Sequence, residues 1–183
     1  MSYSATPYML DHGSGYGLVS RGFHWLMALL LTWQFLTALL HVIDRQRAVS
    51  AMAWSTHHDV GFLLFVLVLL RGLWGLSNAG RRPAHAGRLG RLASLGHLAL
   101  YALMAYVPAV ALLRQFGSAR AFSPFGIPLM KGGGEKIGWM TELGSASHAL
   151  AAWALLALIG GHLAMVMVHH FVWKDETAAR MVG

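Results

Sequence analysis

The sequence has no cysteine and little charge. Of its 183 residues, 11% are charged and 56% are hydrophobic, and the cysteine count is 0. Without cysteine, the chain can form no disulfide, no cysteine-ligated iron–sulfur cluster and no thiol nucleophile. A soluble domain carries about 25% charged residues. The composition therefore argues against a soluble globular protein.

Two further absences narrow the class of protein. Residues 1–20 have no basic start, and the first apolar run is too long for the core of a signal peptide, so we predict none. The net charge of +7 is spread over the loops and forms no basic tail. Such a distribution indicates contact with anionic lipid, and we expect no nucleic-acid partner.

The sequence contains four long apolar runs. They cover approximately residues 23–43, 57–76, 95–113 and 147–172, close to the ~20 residues that a helix needs to cross a bilayer. The runs lack the two-residue alternation of barrel strands. We predict an all-α integral membrane protein, one domain over residues 1–183, folded as a four-helix transmembrane bundle.

The longest connection, residues 117–146, is predicted to be an outer loop. Its "FSPFGIPL" and "KGGGEK" segments are typical of irregular turns. Its "IGWMTEL" segment favours a short interfacial helix, with Trp139 at the headgroup level.

Basic residues indicate the orientation of the bundle. Four spans place both termini on one side, and that side carries eight of the 14 basic residues. An excess of Arg and Lys favours the cytoplasm, so we predict cytoplasmic termini. The eight are Arg21, Arg71, Arg81, Arg82, Arg88, Arg91, Lys174 and Arg180, and the other six are Arg45, Arg47, Arg114, Arg120, Lys131 and Lys136.

The fourth apolar run carries histidines on one face. His148 and His162 are 14 residues apart, which places them within ~40° of one face and ~21 Å apart along a helix. His169 follows seven residues later, within another ~20° of that face. An ionisable residue inside a span is a functional hypothesis by default. Two imidazoles on one stripe, separated by most of the membrane, indicate two stacked cofactor sites.

Each of these sites needs an opposing ligand at its own depth. His24 opens the first span and matches His162, while either His57 or His58 opens the second span and matches His148. Haem iron accepts axial imidazole. Zinc is disfavoured because its sites need four protein ligands, or three and a water, and no third ligand is evident. The pattern predicts two bis-histidine haem sites.

Other polar residues lie at the same depths. His97 begins the third span on the side of His24, so three histidines compete at the inner level. Arg71 lies 14 residues after His57, on the same face and ~21 Å away. It is a candidate partner for a haem propionate, or it extends to the interface. Three more histidines are predicted at the outer interface or in loops: His41, His12 and His85.

Several motifs together resemble one family. They are "HW" at His24–Trp25, H-x-x-x-G at His57–Gly61 followed by Arg71, "LGHLALY" at Leu95–Tyr101, and the pattern H-x13-H-x6-HH-x2-WKD that starts at His148. Over about residues 20–182 the chain resembles the bacterial cytochrome b561 family, small four-helix di-haem cytochromes of the inner membrane. In particular, it resembles the branch that includes superoxide oxidase.

The resemblance implies specific roles for the histidines. It implies that His24 and His162 hold a haem b on the cytoplasmic side, with His97 as a competitor or a neighbouring residue. It implies that His57, rather than His58, and His148 hold a second haem b on the outer side. The same resemblance implies a quinone beside His169, with Trp173 and Lys174 as neighbouring candidates.

The resemblance also implies an activity. In the bacterial inner membrane, electrons would pass from superoxide, or another small one-electron donor, on the periplasmic side to ubiquinone as an exchangeable acceptor. Donor-side candidates are the loop cations Arg114, Arg120 and Lys131, with Lys136 nearby and Glu135 and Glu142 partly offsetting them. One alternative is a quinone-linked cytochrome b subunit that relays electrons for a partner dehydrogenase, hydrogenase or soluble cytochrome. Another is a histidine-lined metal or proton transporter, which would be colourless.

Overall fold

A computed structural model describes residues 9–81 and 87–182 of the chain, so Arg82 and His85 lie outside the described residues. The described residues fold almost entirely into helices. These are α1 (Leu18–Ile43), α2 (Ala48–Ser55), α3 (His57–Ser77), α4 (Gly87–Gly117), α5 (Gly138–Met167) and α6 (Ala179–Val182). A π-helical turn, Val168–Trp173, extends α5.

Within residues 9–81 and 87–182, four helical segments are long and apolar enough to cross a membrane: α1, α2 with α3, α4, and α5 with its π-helical turn. Large apolar side chains remain exposed along them, such as Leu73, Leu150 and Leu163. Apolar surface of this extent suits a hydrocarbon solvent, because the helical backbone already satisfies its own hydrogen bonds. The predicted all-α, four-helix membrane fold is confirmed.

The helices extend beyond the predicted apolar runs. Helix α4 begins at Gly87 rather than near residue 95, and α5 begins at Gly138 rather than Ser147. The segment around Trp139 is therefore the first turn of α5 and not a separate interfacial helix. No proline interrupts residues 138–147, so nothing stops the helix there. The irregular outer connection is confined to residues 118–137.

Helices α4 and α5 come close together at two glycines. A Cβ atom on Gly144 would lie 2.6 Å from the carbonyl oxygen of Val110 and would also meet the Cβ of Arg114. A Cβ atom on Gly117 would lie 3.1 Å from the carbonyl oxygen of Ile137. The two backbones thus pack directly against each other, as small residues permit in membranes.

An apolar layer occupies the middle of the bundle. Met27, Leu64 and Val68 are buried there between α1, α3 and α4, with further side chains packed around them. Leu64 lies seven residues after His57 and seven before Arg71. The layer therefore separates an outer polar level from an inner one.

Candidate functional site

The outer half of the bundle contains a cavity of about 750 Å³. Residues from α1 to α5 line it, and they include His57, His58 and His148. The volume falls within the ~300–1,000 Å³ range of small-molecule and cofactor sites. The structure thus brings the outer-level histidines to one cavity.

Hydrogen bonds fix the ring of His57. The Thr37 hydroxyl donates to the carbonyl oxygen of Gln34 at 2.8 Å, so it accepts from His57 Nδ1–H at 2.9 Å. The Gln34 amide donates to the His57 carbonyl oxygen at 3.0 Å. With its proton on Nδ1, His57 keeps a lone pair on Nε2. Such a bond at the second ring nitrogen is typical of a metal-ligating histidine.

His148 is held in the same way from another helix. Its Nδ1 lies 3.0 Å from the carbonyl oxygen of Val107 in α4. A carbonyl only accepts, so this nitrogen carries the proton and Nε2 is again free to act as a ligand. His58 is more exposed, and it meets Trp54 and His57 edge to face at 6.1 and 6.0 Å between ring centres. His57 is therefore better oriented than His58 to form a ligand pair with His148.

Three histidines meet at the inner level. The ring centres of His24 and His162 are 6.4 Å apart, and those of His97 and His162 are 5.5 Å apart. Two imidazoles that bind one metal from opposite sides, through bonds of ~2 Å each, have ring centres ~6 Å apart. Both distances lie near this spacing. His24 is partly buried, whereas His97 is exposed. The Nδ1 of His97 lies 2.7 Å from the Ala93 carbonyl oxygen, so its Nε2 is also free to act as a ligand.

Arg71 lies beside the inner histidines. Its guanidinium is 3.4 Å from His24 Nδ1, 4.0 Å from the sulfur of Met27 and 5.3 Å from the centre of the Tyr101 ring. It therefore contacts side chains of two neighbouring helices, α1 and α4. The contact with His24 is long for a hydrogen bond. Guanidinium only donates, so this contact ends if His24 moves its proton to Nδ1 in order to ligate through Nε2.

A separate group of polar and aromatic side chains lies at the inner end of α5. His169 Nδ1 is 2.7 Å from the carboxylate of Asp175, and the His169 and Trp173 rings meet edge to face at 4.6 Å. Lys174 reverses the chain with a left-handed backbone, at a φ of 52°. Hydrogen bonds from Thr177, and then from His169, lower the pKa of Asp175 to about 2. Asp175 is therefore ionised at neutral pH and orients His169.

Cations, and no carboxylates, line the outer cavity in the part of the chain that the structure describes. Of the predicted donor-side residues, Arg114 and Arg120 line it, together with Lys136. Lys131 is exposed on the loop and is not among the lining residues. The cavity that holds His57 and His148 thus presents positive charge.

Sequence reasoning missed several of these side chains. Gln34 and Thr37 are polar residues three positions apart within an apolar run, which is a readable signal for one polar helix face. Trp54 and His41, which stack near His57, gave no such signal, because α2 was not predicted. Asp175 was visible only as part of the "WKD" motif.

Comparison with known proteins agrees with this geometry. The family model described as prokaryotic cytochrome b561 matches residues 15–183. The chain is also 29% identical, over 186 aligned positions, to cytochrome b561 homolog 2 of Escherichia coli (strain K12), covering 100% of this chain and 96% of that protein. The family is one of helical membrane bundles that bind b haems and transfer electrons across the membrane. With four membrane-length helices and histidines at two depths, the chain belongs to the prokaryotic cytochrome b561 family.

Proposed function

We propose that the chain holds two b haems, one ligated by His24 and His162 and the other by His57 and His148. The outer assignment is supported by the proton on Nδ1 in both histidines and by the cavity that they share. The inner assignment is supported by the 6.4 Å between the ring centres of His24 and His162 and by the partial burial of His24, since His97 is exposed. Haem, when bound, supplies the one-electron redox chemistry, and the protein supplies ligands, spacing and charge.

Superoxide is the donor that the outer cavity best fits. The observation that carries this proposal is the set of Arg114, Arg120 and Lys136 along a cavity whose described lining includes no carboxylate. A positive cleft attracts a small anion and raises its rate of encounter. Each superoxide loses one electron and becomes dioxygen, so two superoxide anions supply the two electrons that one quinone takes up.

Ubiquinone is the proposed acceptor at the inner end. His169 and Trp173 form an imidazole–indole corner there, with Lys174 adjacent. Reduction to ubiquinol consumes two protons as well as two electrons. His169, oriented by the ionised Asp175, is placed to pass protons from the cytoplasmic side.

We further propose a single-domain protein of the bacterial inner membrane with both termini in the cytoplasm. This orientation places the cationic cavity in the periplasm and the His169 cluster at the cytoplasmic face. It follows from the excess of basic residues on the side of the termini.

Stopped-flow haem reduction by superoxide tests this function on the purified protein. We expect reduction without any partner protein, and we expect the rate to fall with rising salt, because the Debye length is ~10 Å at 0.1 M. Charge reversal in Arg114→Glu and Arg120→Glu should slow reduction roughly 3- to 10-fold. Lys131→Glu is the matched control, since it changes the charge by the same amount as either substitution and lies on the same loop as Arg120 but outside the cavity.

Two results would contradict the proposal. One is superoxide reducing this protein no faster than an unrelated bis-histidine cytochrome. The other is equal slowing by Lys131→Glu, which would show that net charge and not the cavity matters. Either outcome would favour the alternative of a cytochrome b subunit that takes electrons from a partner protein.

A further inference from the structure

Three flat side chains from three helices stack at the outer end of the bundle. His41 comes from the last turn of α1, Trp54 from α2 and His57 from the start of α3. The rings of His41 and Trp54 are 4.0 Å apart and inclined by 11°. The rings of Trp54 and His57 are 4.3 Å apart and inclined by 24°. Trp54 is therefore held between two imidazoles.

The contact with Trp54 restrains His57 in a way that the Thr37 hydrogen bond does not. Thr37 determines which ring nitrogen carries the proton. Trp54 covers one face of the ring, so it limits rotation of the imidazole plane while Nδ1 keeps its bond to Thr37 and Nε2 stays free at the edge. His41 lies on the far face of Trp54 and prevents the indole from turning away. The stack thus fixes a plane, and the hydrogen bond fixes a tautomer.

The plane of an axial imidazole has electronic consequences for a haem iron. The π orbital of the ring overlaps only the iron d orbital that lies perpendicular to the ring. Rotation of the ring therefore changes the splitting between iron d orbitals. The protein environment of an axial ligand is one of the levers that set haem properties.

We propose that Trp54, backed by His41, is a positioning residue that sets the ring plane of His57 and so tunes the outer haem. This inference rests on the proposed ligation of that haem by His57. It gives α2 a role, since α2 carries Trp54 across the outer end of the bundle. The inner site, at the other end of α3, contains no part of the stack and serves as an internal reference.

The test is EPR spectroscopy of the ferric low-spin haems, combined with redox titration, on the full-length purified protein. Trp54→Leu removes the stacked face and should shift the g values and midpoint potential of the outer haem only. Trp54→Phe retains a flat ring and should restore both toward the wild-type values. His41→Leu should produce a smaller shift in the same direction. Trp139→Leu, a tryptophan at the outer end of α5 and 59% exposed, should change neither.

The outcomes separate this inference from the haem assignment. Wild-type spectra in Trp54→Leu, with two haems retained, would overturn the positioning role. If Trp54→Leu does not accumulate in the membrane, His41→Leu decides, and an unchanged outer haem spectrum in that variant overturns the role. His57→Ala tests the underlying ligation. Retention of two low-spin haems there would remove His57 as a ligand, whereas loss of the outer haem alone would leave only the role of Trp54 in question.

Discussion

At the scale of single residues, hydrogen bonds at Nδ1 orient the two histidines of the outer cavity. His57 and His148 each have an oxygen acceptor at Nδ1, so each offers Nε2 to a metal. The sequence predicted the depth of these residues but not their tautomers. A tautomer depends on Thr37 and on the Val107 carbonyl, which tertiary packing brings into place from other helices.

Thr37→Val tests the bond that orients His57. The substitution keeps the shape of the side chain and removes the acceptor for Nδ1–H, so the outer haem should be held roughly 10- to 100-fold more weakly. Haem transfer to an apo-globin measures this loss. Thr32→Val is the control on the same helix, because the Thr32 hydroxyl donates to the Ala28 carbonyl oxygen of that helix and not to a histidine. Equal haem loss in both variants would contradict the role of Thr37.

Asp175→Asn tests the orientation of His169. Loss of this charged partner should slow quinol-driven haem reduction roughly 3- to 10-fold and leave superoxide-driven reduction unchanged. The pKa of Asp175 is lowered from 3.8 to about 2, so the ionised form is favoured in the fold. The contribution of the ionised Asp175 to the stability of the fold is fully present above about pH 4 and is lost as the pH falls toward 2.

The Asp175 effect should therefore persist from neutral pH to about pH 5, where the carboxylate remains ionised. Glu176→Gln, at the adjacent position, is the matched control and should have no effect on either rate. A quinol reaction of Asp175→Asn at the wild-type rate would show that the pair with His169 does not serve quinone chemistry.

At the scale of helices, the contact between α4 and α5 positions the outer site. Gly144 lies one turn before His148, at the point where the two backbones meet. Apolar length predicted four spans because hydrophobic runs depend on sequence alone. The starts of α4 and α5, and the existence of α2, were not predicted, because apolar length does not mark where a helix begins or ends. Pro108 shows this limit, since it lies inside α4 without ending the helix.

Gly144→Ala should separate α4 from α5. The new Cβ would lie 2.6 Å from the Val110 carbonyl oxygen, and backbone cannot move aside as a flexible side chain can. We expect a loss of about 1–3 kcal/mol in stability and weaker retention of the outer haem, measured by thermal denaturation and haem absorbance. Gly160→Ala is the control on the same helix, because its Cβ would meet nothing within 4 Å. A Gly144→Ala protein as stable as Gly160→Ala would contradict the close contact of α4 with α5 at Gly144.

At the scale of the whole molecule, two polar levels are separated by the apolar layer of Met27, Leu64 and Val68. The 14-residue spacing of His148 and His162 predicted this separation, since a straight helix converts spacing into depth. Residue spacing alone did not choose between His57 and His58, or between His24 and His97, and it was the family resemblance that implied His57 and His24. The ring orientation and burial that bear on these choices come from packing between helices.

Sidedness is a property of the whole bundle. A reporter fused after Gly183 should be active in the cytoplasm, and one inserted between Gly132 and Gly134 should be active in the periplasm. The expectation follows from the basic residues on the side of the termini. The reverse pattern of reporter activity would place the cationic cavity in the cytoplasm and exchange the donor and acceptor sides.

Haem content per chain tests the central claim, two haem sites at different depths, most directly. A pyridine haemochrome assay should give two b haems for the wild-type protein. It should give one for His148→Ala, which keeps the inner haem, and one for His162→Ala, which keeps the outer haem. His24→Ala should match His162→Ala, and His97→Ala should retain both. A single haem in the wild-type protein, or haem loss in His97→Ala with retention in His24→Ala, would contradict the arrangement described for the bundle.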